Sequence, residues 1–326
     1  MKPVQDTPVL TPPGCQTAMN IIFFGSDDFA QEHLKALLAS SHKVVACVTQ
    51  PDRPKGRGMK VVDSPIKESA QAKAIDVLQP TTVKDSAFVS ALKKYEADVF
   101  VVIAYGQILT QQILDLPKVC AVNVHGSLLP KYRGAAPINW AIINGETKTG
   151  LTIIRMNEKL DAGGILAVKE IEIKPEDTSE MVRYKMMREG PGFLVDTLSA
   201  LSTLKAVAQD ESAVTFAPKL TKETALIDWK EPAEKIHNLV RGLLPWPVAY
   251  TYYQNKALKI FSSHLVDRKE KAAAGAVVEL NTQGILVQAK DACVLIREVQ
   301  FESSKRMDAA SFARGQRMTV GDTFLC

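Results

Sequence analysis

The chain has 326 residues, 46% of them hydrophobic and 23% charged, which is long enough for two domains with buried cores. Its net charge of +4 is spread evenly along the chain, so charge balance alone predicts no nucleic-acid partner, and any such argument rests on local clusters. Five scattered cysteines (Cys15, Cys47, Cys120, Cys293, Cys326) without Cys-x-x-Cys suit a reducing cytoplasm and argue against a zinc site or disulfide framework, and the longest apolar run, Val99 to Tyr105, is too short to span a membrane.

Residues 1–18 contain Pro3, Pro8, Pro12 and Pro13, lack the apolar core of a signal peptide, and read as a disordered extension. Asn20 to Gly25 is a short apolar run ending in glycine, a buried strand by composition. Asp27 and Asp28 can cap the helix that follows, where Phe29, Leu34, Leu37 and Leu38 recur at helical spacing. Lys43 to Thr49 is a second strand, which makes a right-handed βαβ unit. The turn Gly25-Ser26-Asp27-Asp28 lacks the glycines of Gly-x-Gly-x-x-Gly, so no dinucleotide site is expected.

Gln50 to Lys60 reads as a loop in which Arg53, Lys55, Arg57 and Lys60 share a short span with two prolines and two glycines. Such a loop is either a solvated surface or a flexible phosphate-binding element. Ser64 to Ala74 reads as a helix with Pro65 in its first turn, Ile75 to Leu78 as a strand, and Asp85 to Tyr95 as a helix. Ala97 to Tyr105 is the most apolar strand, as a central parallel strand should be.

Residues 121 to 138 carry the densest chemistry. The strand Ala121 to Val124 holds Asn123 and, two positions on, His125, so both polar groups point to one side at the strand's end. Alone, that pair fits a buried strand satisfying its neighbours as well as it fits a site beyond the carboxyl end of a parallel sheet. Leu151 to Met156 and Gly164 to Ile173 read as further strands around a polar loop containing Asp161. Thr178 to Ala206 reads as helical, interrupted at Gly190-Pro191-Gly192. Ala208 to Thr224 has the composition of a linker. Five short alternating segments follow (Ala249–Tyr253, Leu258–Ser263, Gly275–Glu279, Gly284–Gln288, Val294–Phe301) and suggest a small barrel. Lys305, Arg306, Arg314 and Arg317 then form a basic tail opposed only by Asp308.

The run Val-Asn-Val-His-Gly-Ser-Leu-Leu-Pro from Val122, then Arg133-Gly-Ala-Ala-Pro137, resembles the signature of the formyltransferases that use 10-formyltetrahydrofolate, above all those that act on initiator methionyl-tRNA. Gln50-Pro-Asp-Arg-Pro-Lys-Gly-Arg-Gly58 and Leu244-Pro-Trp-Pro247 extend the likeness, although the family often has Gly-Thr-Pro where this chain has Gly25-Ser26-Asp27. The resemblance implies a Rossmann-like, mostly parallel α/β sheet over residues 19–207, a linker at 208–225, and a small OB-like β-barrel over 226–326. It implies that Asn123, His125 and Asp161 are catalytic. Tyr105, Gly106, Gln107, Ile108 and Leu109 would bind folate on one side, and Ser127, Leu128, Leu129 and Pro130 on the other. Arg53, Lys55, Arg57 and Lys60, with Lys305 and Arg306, would bind the tRNA. The co-substrate would be 10-formyltetrahydrofolate, with no metal, in a monomeric cytoplasmic enzyme. Rival readings are a relative acting on a small amine, such as a nucleotide sugar or glycinamide ribonucleotide, and a binding protein that has lost catalysis.

Overall fold

The computed structural model describes residues 18–55 and 60–325. In chain order the strands are β1 (Asn20–Gly25), β2 (Lys43–Val48), β3 (Arg53–Lys55), β4 (Lys60–Val62), β5 (Asp76–Leu78), β6 (Val99–Ile103), β7 (Cys120–His125), β8 (Arg133–Gly134), β9 (Lys148–Arg155), β10 (Gly164–Glu172), β11 (Phe216–Ala217), β12 (Tyr250–Tyr253), β13 (Lys256–Val266), β14 (Val277–Asn281), β15 (Gly284–Gln288), β16 (Cys293–Phe301) and β17 (Met307–Asp308). The α-helices are α1 (Asp28–Ala39), α2 (Pro65–Gln71), α3 (Ser86–Lys93), α4 (Gln111–Leu114), α5 (Pro137–Ile143), α6 (Ser179–Ser199), α7 (Ala233–Gly242) and α8 (Ala309–Gly315). The described residues fall into two compact units: 18–55, 60–134, 150–171 and 184–216, and 135–149, 172–183 and 217–325.

The first unit is built on a seven-stranded sheet in the order β10-β9-β7-β6-β1-β2-β5. Strands β5, β2, β1, β6 and β7 run parallel, and β9 turns antiparallel against β7. This is the mostly parallel sheet that the resemblance implies. Helix starts follow the capping residues: Asp27 accepts from the Ala30 N–H at 2.9 Å, Ser64 from Lys67 at 3.1 Å and Asp85 from Ala87 at 2.9 Å. Gly25 is required where it stands. A Cβ there would lie 2.6 Å from the Ala30 Cβ, so only glycine lets the β1–α1 turn close this tightly.

Two expectations for this part of the chain do not hold. Arg53–Lys55 and Lys60–Val62 are paired strands rather than one loop, with Lys55 opposite Lys60; Arg57 lies outside the described residues, as do residues 1–17. The Lys67 ammonium holds both legs of this hairpin, at 2.6 Å from Asp52 and 2.8 Å from Asp63. Helix α6 is not interrupted: it runs through Pro191 and stops at Ser199. An interior proline costs about 3 kcal/mol, but Met186, Phe193, Leu194 and Leu198 are all buried on this helix, at roughly 1.5–3 kcal/mol each. Gly190 brings the same helix against α1, since a Cβ there would meet the His33 ring at 2.5 Å.

In the second unit the antiparallel sheet runs β12-β13-β16-β15-β14, with β17 beside β16. Its two edges meet through the segment at 321–325. Tyr252 and Leu325 exchange N–H···O bonds at 3.0 and 2.9 Å, while the Phe324 N–H donates to Gly275 and the Val277 N–H to Asp322. Part of each edge is thereby covered, which shortens the unpaired rows an open sheet would present. Trp229, Ile236, Tyr253, Leu258, Ile296, Phe312 and Phe324 fill the interior. The basic residues near 305–317 are not a tail: Lys305 and Arg306 lead into β17, Arg314 is on α8 and Arg317 follows it, and Phe312 of α8 is buried. Glu298 also opposes them, accepting from both Nε and Nη2 of Arg306, whose guanidinium lies 4.3 Å from the Phe261 ring centre.

His33 is fully buried, with Nδ1 2.8 Å from the Phe29 carbonyl and no partner for Nε2 among the described residues. Burial lowers its pKa from 6.5 to about 4. Between those values the unfolded chain binds a proton that the native state refuses, so stability falls as pH drops through this window. From pH 7 to pH 5 this one ring should cost about 2 kcal/mol. Urea titrations of His33→Leu should show a pH 7-to-5 loss smaller than wild type by that amount; an equal loss in both proteins would refute it.

Candidate active site

β7 extends beyond its parallel neighbour: Val102 of β6 pairs with Asn123, leaving Val124 and His125 to pair only with Ile153 and Thr152 of β9. The chain then turns back through Ser127 to Gly134, and this turn is tied down by its own polar groups. Ser127 Oγ donates to the Lys131 carbonyl at 2.7 Å, and Thr152 Oγ1 donates to the Ser127 carbonyl at 2.6 Å while accepting from the Leu129 N–H at 3.1 Å. The Tyr132 N–H donates to Thr215 Oγ1 and the Arg133 N–H to the Thr215 carbonyl, both at 2.9 Å.

The structure brings Asn123, His125 and Asp161 together, although 36 residues separate the last two. Asp161 Oδ2 lies 3.6 Å from His125 Nδ1 and accepts the Gly134 N–H at 2.9 Å. Its other oxygen, Oδ1, lies 3.5 Å from Asn123 Nδ2. One carboxylate therefore meets both polar groups of the strand end, which places them on a single face. The far nitrogen of the ring, Nε2, lies 2.9 Å from the Tyr132 carbonyl. Each ring nitrogen thus faces an oxygen, the Tyr132 carbonyl within hydrogen-bond distance and the carboxylate just beyond it. The 3.5 and 3.6 Å separations exceed a tight hydrogen bond, so the Asn123 amide and Nδ1 retain capacity for an oxygen placed between them.

Asp161 sits in the left-handed region at φ 49°, which aspartate tolerates better than most residues. Two carbonyls of its turn, those of Asp161 and Gly163, each accept from Gln209 Nε2 at 2.8 Å. Arg133 in turn donates to Gln209 Oε1 from Nε at 3.0 Å and Nη2 at 2.8 Å, and also pairs with Glu211. That pairing holds the Glu211 carboxyl below its usual range. The sequence marks neither Gln209 nor Thr215 as a site residue, because both lie in the stretch whose composition reads as a linker.

At the carboxyl end of β6 the turn is shaped by positive φ at Ala104 (46°) and Gly106 (86°). The Tyr105 carbonyl accepts from Gln50 Nε2 at 3.0 Å and from Ser26 Oγ at 3.2 Å, so Ser26 joins the ends of β1 and β6. The Tyr105 ring is buried edge-on against Phe24, and burial pushes its phenol up to about 12. Leu109 is likewise buried, while Gly106 and Ile108 face outward, Ile108 being 66% exposed. Gln107 accepts the Val83 N–H at 3.1 Å. On the other side Ser127 and Leu129 are buried, and Leu128 and Pro130 are half-buried. Among the described residues no group of three or more His, Cys, Asp or Glu could hold a metal ion, and no helix is long and apolar enough to cross a membrane.

The same arrangement of strand end, turn and carboxylate lies inside a region shared with known proteins. The family model "Formyl transferase" matches residues 19–198, and "Formyl transferase, C-terminal domain" matches 219–317. The chain belongs to the formyl transferase family. It is 42% identical over 305 residues to the methionyl-tRNA formyltransferase of Clostridium novyi, covering 93% of this chain and 98% of that one. It is 43% identical to that of Desulfotalea psychrophila, covering 93% and 94%. Among solved structures, the sugar 3N-formyltransferase WlaRD superposes with a TM-score of 0.64 at 18% identity, covering 89% of this chain and all of that one. HypX from Aquifex aeolicus in complex with tetrahydrofolic acid superposes with a TM-score of 0.61 at 16% identity, covering 94% of this chain and 49% of that one. At these identities the two structures speak for the fold alone.

Gly163 tests the turn that carries Asp161. A Cβ there would lie 2.0 Å from the Arg155 carbonyl oxygen. Gly163→Ala should displace the turn and, if Asp161 takes part in the chemistry, lower formyl transfer by about 10²-fold. Turnover and circular dichroism measured together check this; full activity would show that the turn tolerates the shift.

Proposed function

We propose that this protein transfers the formyl group of 10-formyltetrahydrofolate to the α-amine of methionine on initiator tRNA. Near-full-length identity of 42–43% to enzymes named methionyl-tRNA formyltransferase carries the reading. The meeting of Asn123, His125 and Asp161 supports it chemically.

An amine adding to a formyl carbon places negative charge on the carbonyl oxygen. The Asn123 amide and Nδ1–H of His125 would donate to that oxygen, and removing one such donor typically costs about 2.7–4 kcal/mol of barrier. Asp161 would keep the imidazole oriented. The new C–N bond forms first; the C=O bond then re-forms as the bond to the folate nitrogen breaks, and the amine's proton passes to that departing nitrogen. His125 or a water could carry it, a contribution of about 10²–10⁴ in rate.

The formyl donor is a flat heterocycle with a polar edge, and such ligands need backbone groups at their rim and apolar faces above and below. The β6 turn fits: Gly106 exposes backbone and Ile108 offers an uncovered apolar side chain, while Tyr105 and Leu109 anchor the turn from within. In this reading Gln107 and Ser127–Pro130 complete the folate site. Arg53, Lys55, Arg57, Lys60, Lys305 and Arg306 would meet the tRNA. Arg306 already serves Glu298, so its contribution there competes with that pair. We assign residues 19–207 to catalysis and 226–326 to tRNA binding, joined by 208–225, in a monomeric cytoplasmic enzyme.

Incubating the protein with 10-formyltetrahydrofolate and either methionyl-initiator tRNA or a nucleotide-sugar amine tests the assignment. Formylation of the tRNA is expected; formylation of the sugar alone would overturn it. His125→Ala should lower turnover at least 10²–10³-fold while leaving folate affinity nearly intact, and near-normal turnover would remove His125 from the chemistry. Replacing Lys55 and Lys60 together with alanine should flatten the log–log salt dependence of kcat/KM for the tRNA by about 0.7 per lost phosphate contact. An unchanged slope would take the hairpin out of the interface.

A further inference from the structure

We infer that Gln209, oriented by Arg133, is a positioning residue for Asp161. The inference rests on the catalytic role proposed for Asp161, and names a residue outside both signature motifs.

A glutamine amide has two N–H hydrogens and one carbonyl oxygen. Both hydrogens of Gln209 are spent on one turn, on the carbonyls of residues 161 and 163, and the oxygen is spent on Arg133, which grips it with two nitrogens. Arg133 permits one orientation only. It has no acceptor atom, so the oxygen of Gln209 must face it and the NH₂ must face the turn. Arg133 is 5% exposed and its main-chain N–H is fixed to the Thr215 carbonyl, so the fork is held in place rather than swinging in solvent.

The held turn contains the residue that matters. Asp161 lies at positive φ, and Gly163, two positions on, has no room for a side chain against Arg155. A turn in this conformation aims the carboxylate between Asn123 and His125. The Gly134 N–H supplies the only bond to that carboxylate shorter than 3 Å among those described, and Gly134 follows Arg133 directly. Arg133 therefore supports Asp161 twice, through the main chain to the carboxylate and through Gln209 to the turn.

Two substitutions separate positioning from mere packing. Gln209→Glu keeps length and strengthens the pairing with Arg133, but cannot donate to the two carbonyls; Gln209→Met keeps length with no polar group. If Gln209 only satisfies Arg133, the glutamate variant should be near wild type. If it positions Asp161, both variants should lose about 10–100-fold in kcat, with KM for the formyl donor and for the tRNA within twofold of wild type and melting curves confirming folded protein. The same substitutions are then made in an Asp161→Asn background, with enzyme in excess so that slow transfer can be read. Groups acting as a unit give little further loss, so the Gln209 change should cost less than twofold there.

Wild-type kcat in Gln209→Glu, or a full multiplicative loss in the Asp161→Asn background, would overturn this inference and leave the proposed function standing. Wild-type turnover in Asp161→Asn alone would overturn this inference together with the catalytic role proposed for Asp161, and the transfer itself would stand. If the unmodified protein formylates a sugar amine instead of tRNA, the assigned substrate falls, and the same cycle on that amine still decides the role of Gln209.

Discussion

The site depends on one carboxylate reaching across the sheet's end. Asp161 comes from the β9–β10 connection, and Asn123 and His125 come from β7; the antiparallel pairing of β7 with β9 brings these chain segments side by side. The sheet is parallel up to β7 and reverses at the next strand. A further parallel strand in β9's place would have delivered its following loop to the same end only after another crossover. Here the reversal puts the loop leaving β9 at the opposite end of β9 from His125, and the chain returns to the site by way of residues 161–163, closely packed beneath the Arg155 carbonyl. That return requires a left-handed aspartate and a glycine, and it is fixed from outside by a side chain from residue 209.

Much of this was legible in the sequence because it is local. Apolar runs marked β1, β6 and β7, and Asp27, Ser64 and Asp85 sat one position before their helices. The alternation of Asn123 and His125 placed both on one face. What could not be read was long-range. No spacing rule connects Gln209 to Asp161, or Thr215 to the Tyr132 and Arg133 backbone, since each bond closes a loop of tens of residues. The unbroken α6 belongs here too. Local propensity argues for a break at Gly190-Pro191-Gly192, and only packing of the buried face against the rest of the unit overrides it.

The basic residues illustrate the same limit for charge. Near 305–317 the sequence shows cations with one acid close by, yet β16 brings Glu298 against Arg306 by strand pairing rather than by proximity in the chain. Around residues 53–62 the neighbouring acids, Asp52 and Asp63, turn inward to Lys67. A cluster's effective charge depends on which of its counter-ions the fold has already engaged.

The compact units are interleaved along the chain. Residues 135–149, which include α5, belong with α7: the Asn139 amide donates to the Gly242 carbonyl at 2.8 Å, and a Cβ on Gly242 would strike Ile143 at 2.7 Å. A gene fusion that swapped everything beyond the 208–225 stretch would therefore strand a helix on the wrong side of the cut. The incoming half would need a surface already matched to an alien α5. Modular exchange, the easy evolutionary route for many two-domain enzymes, is closed to this one unless both partners already share that small helix interface.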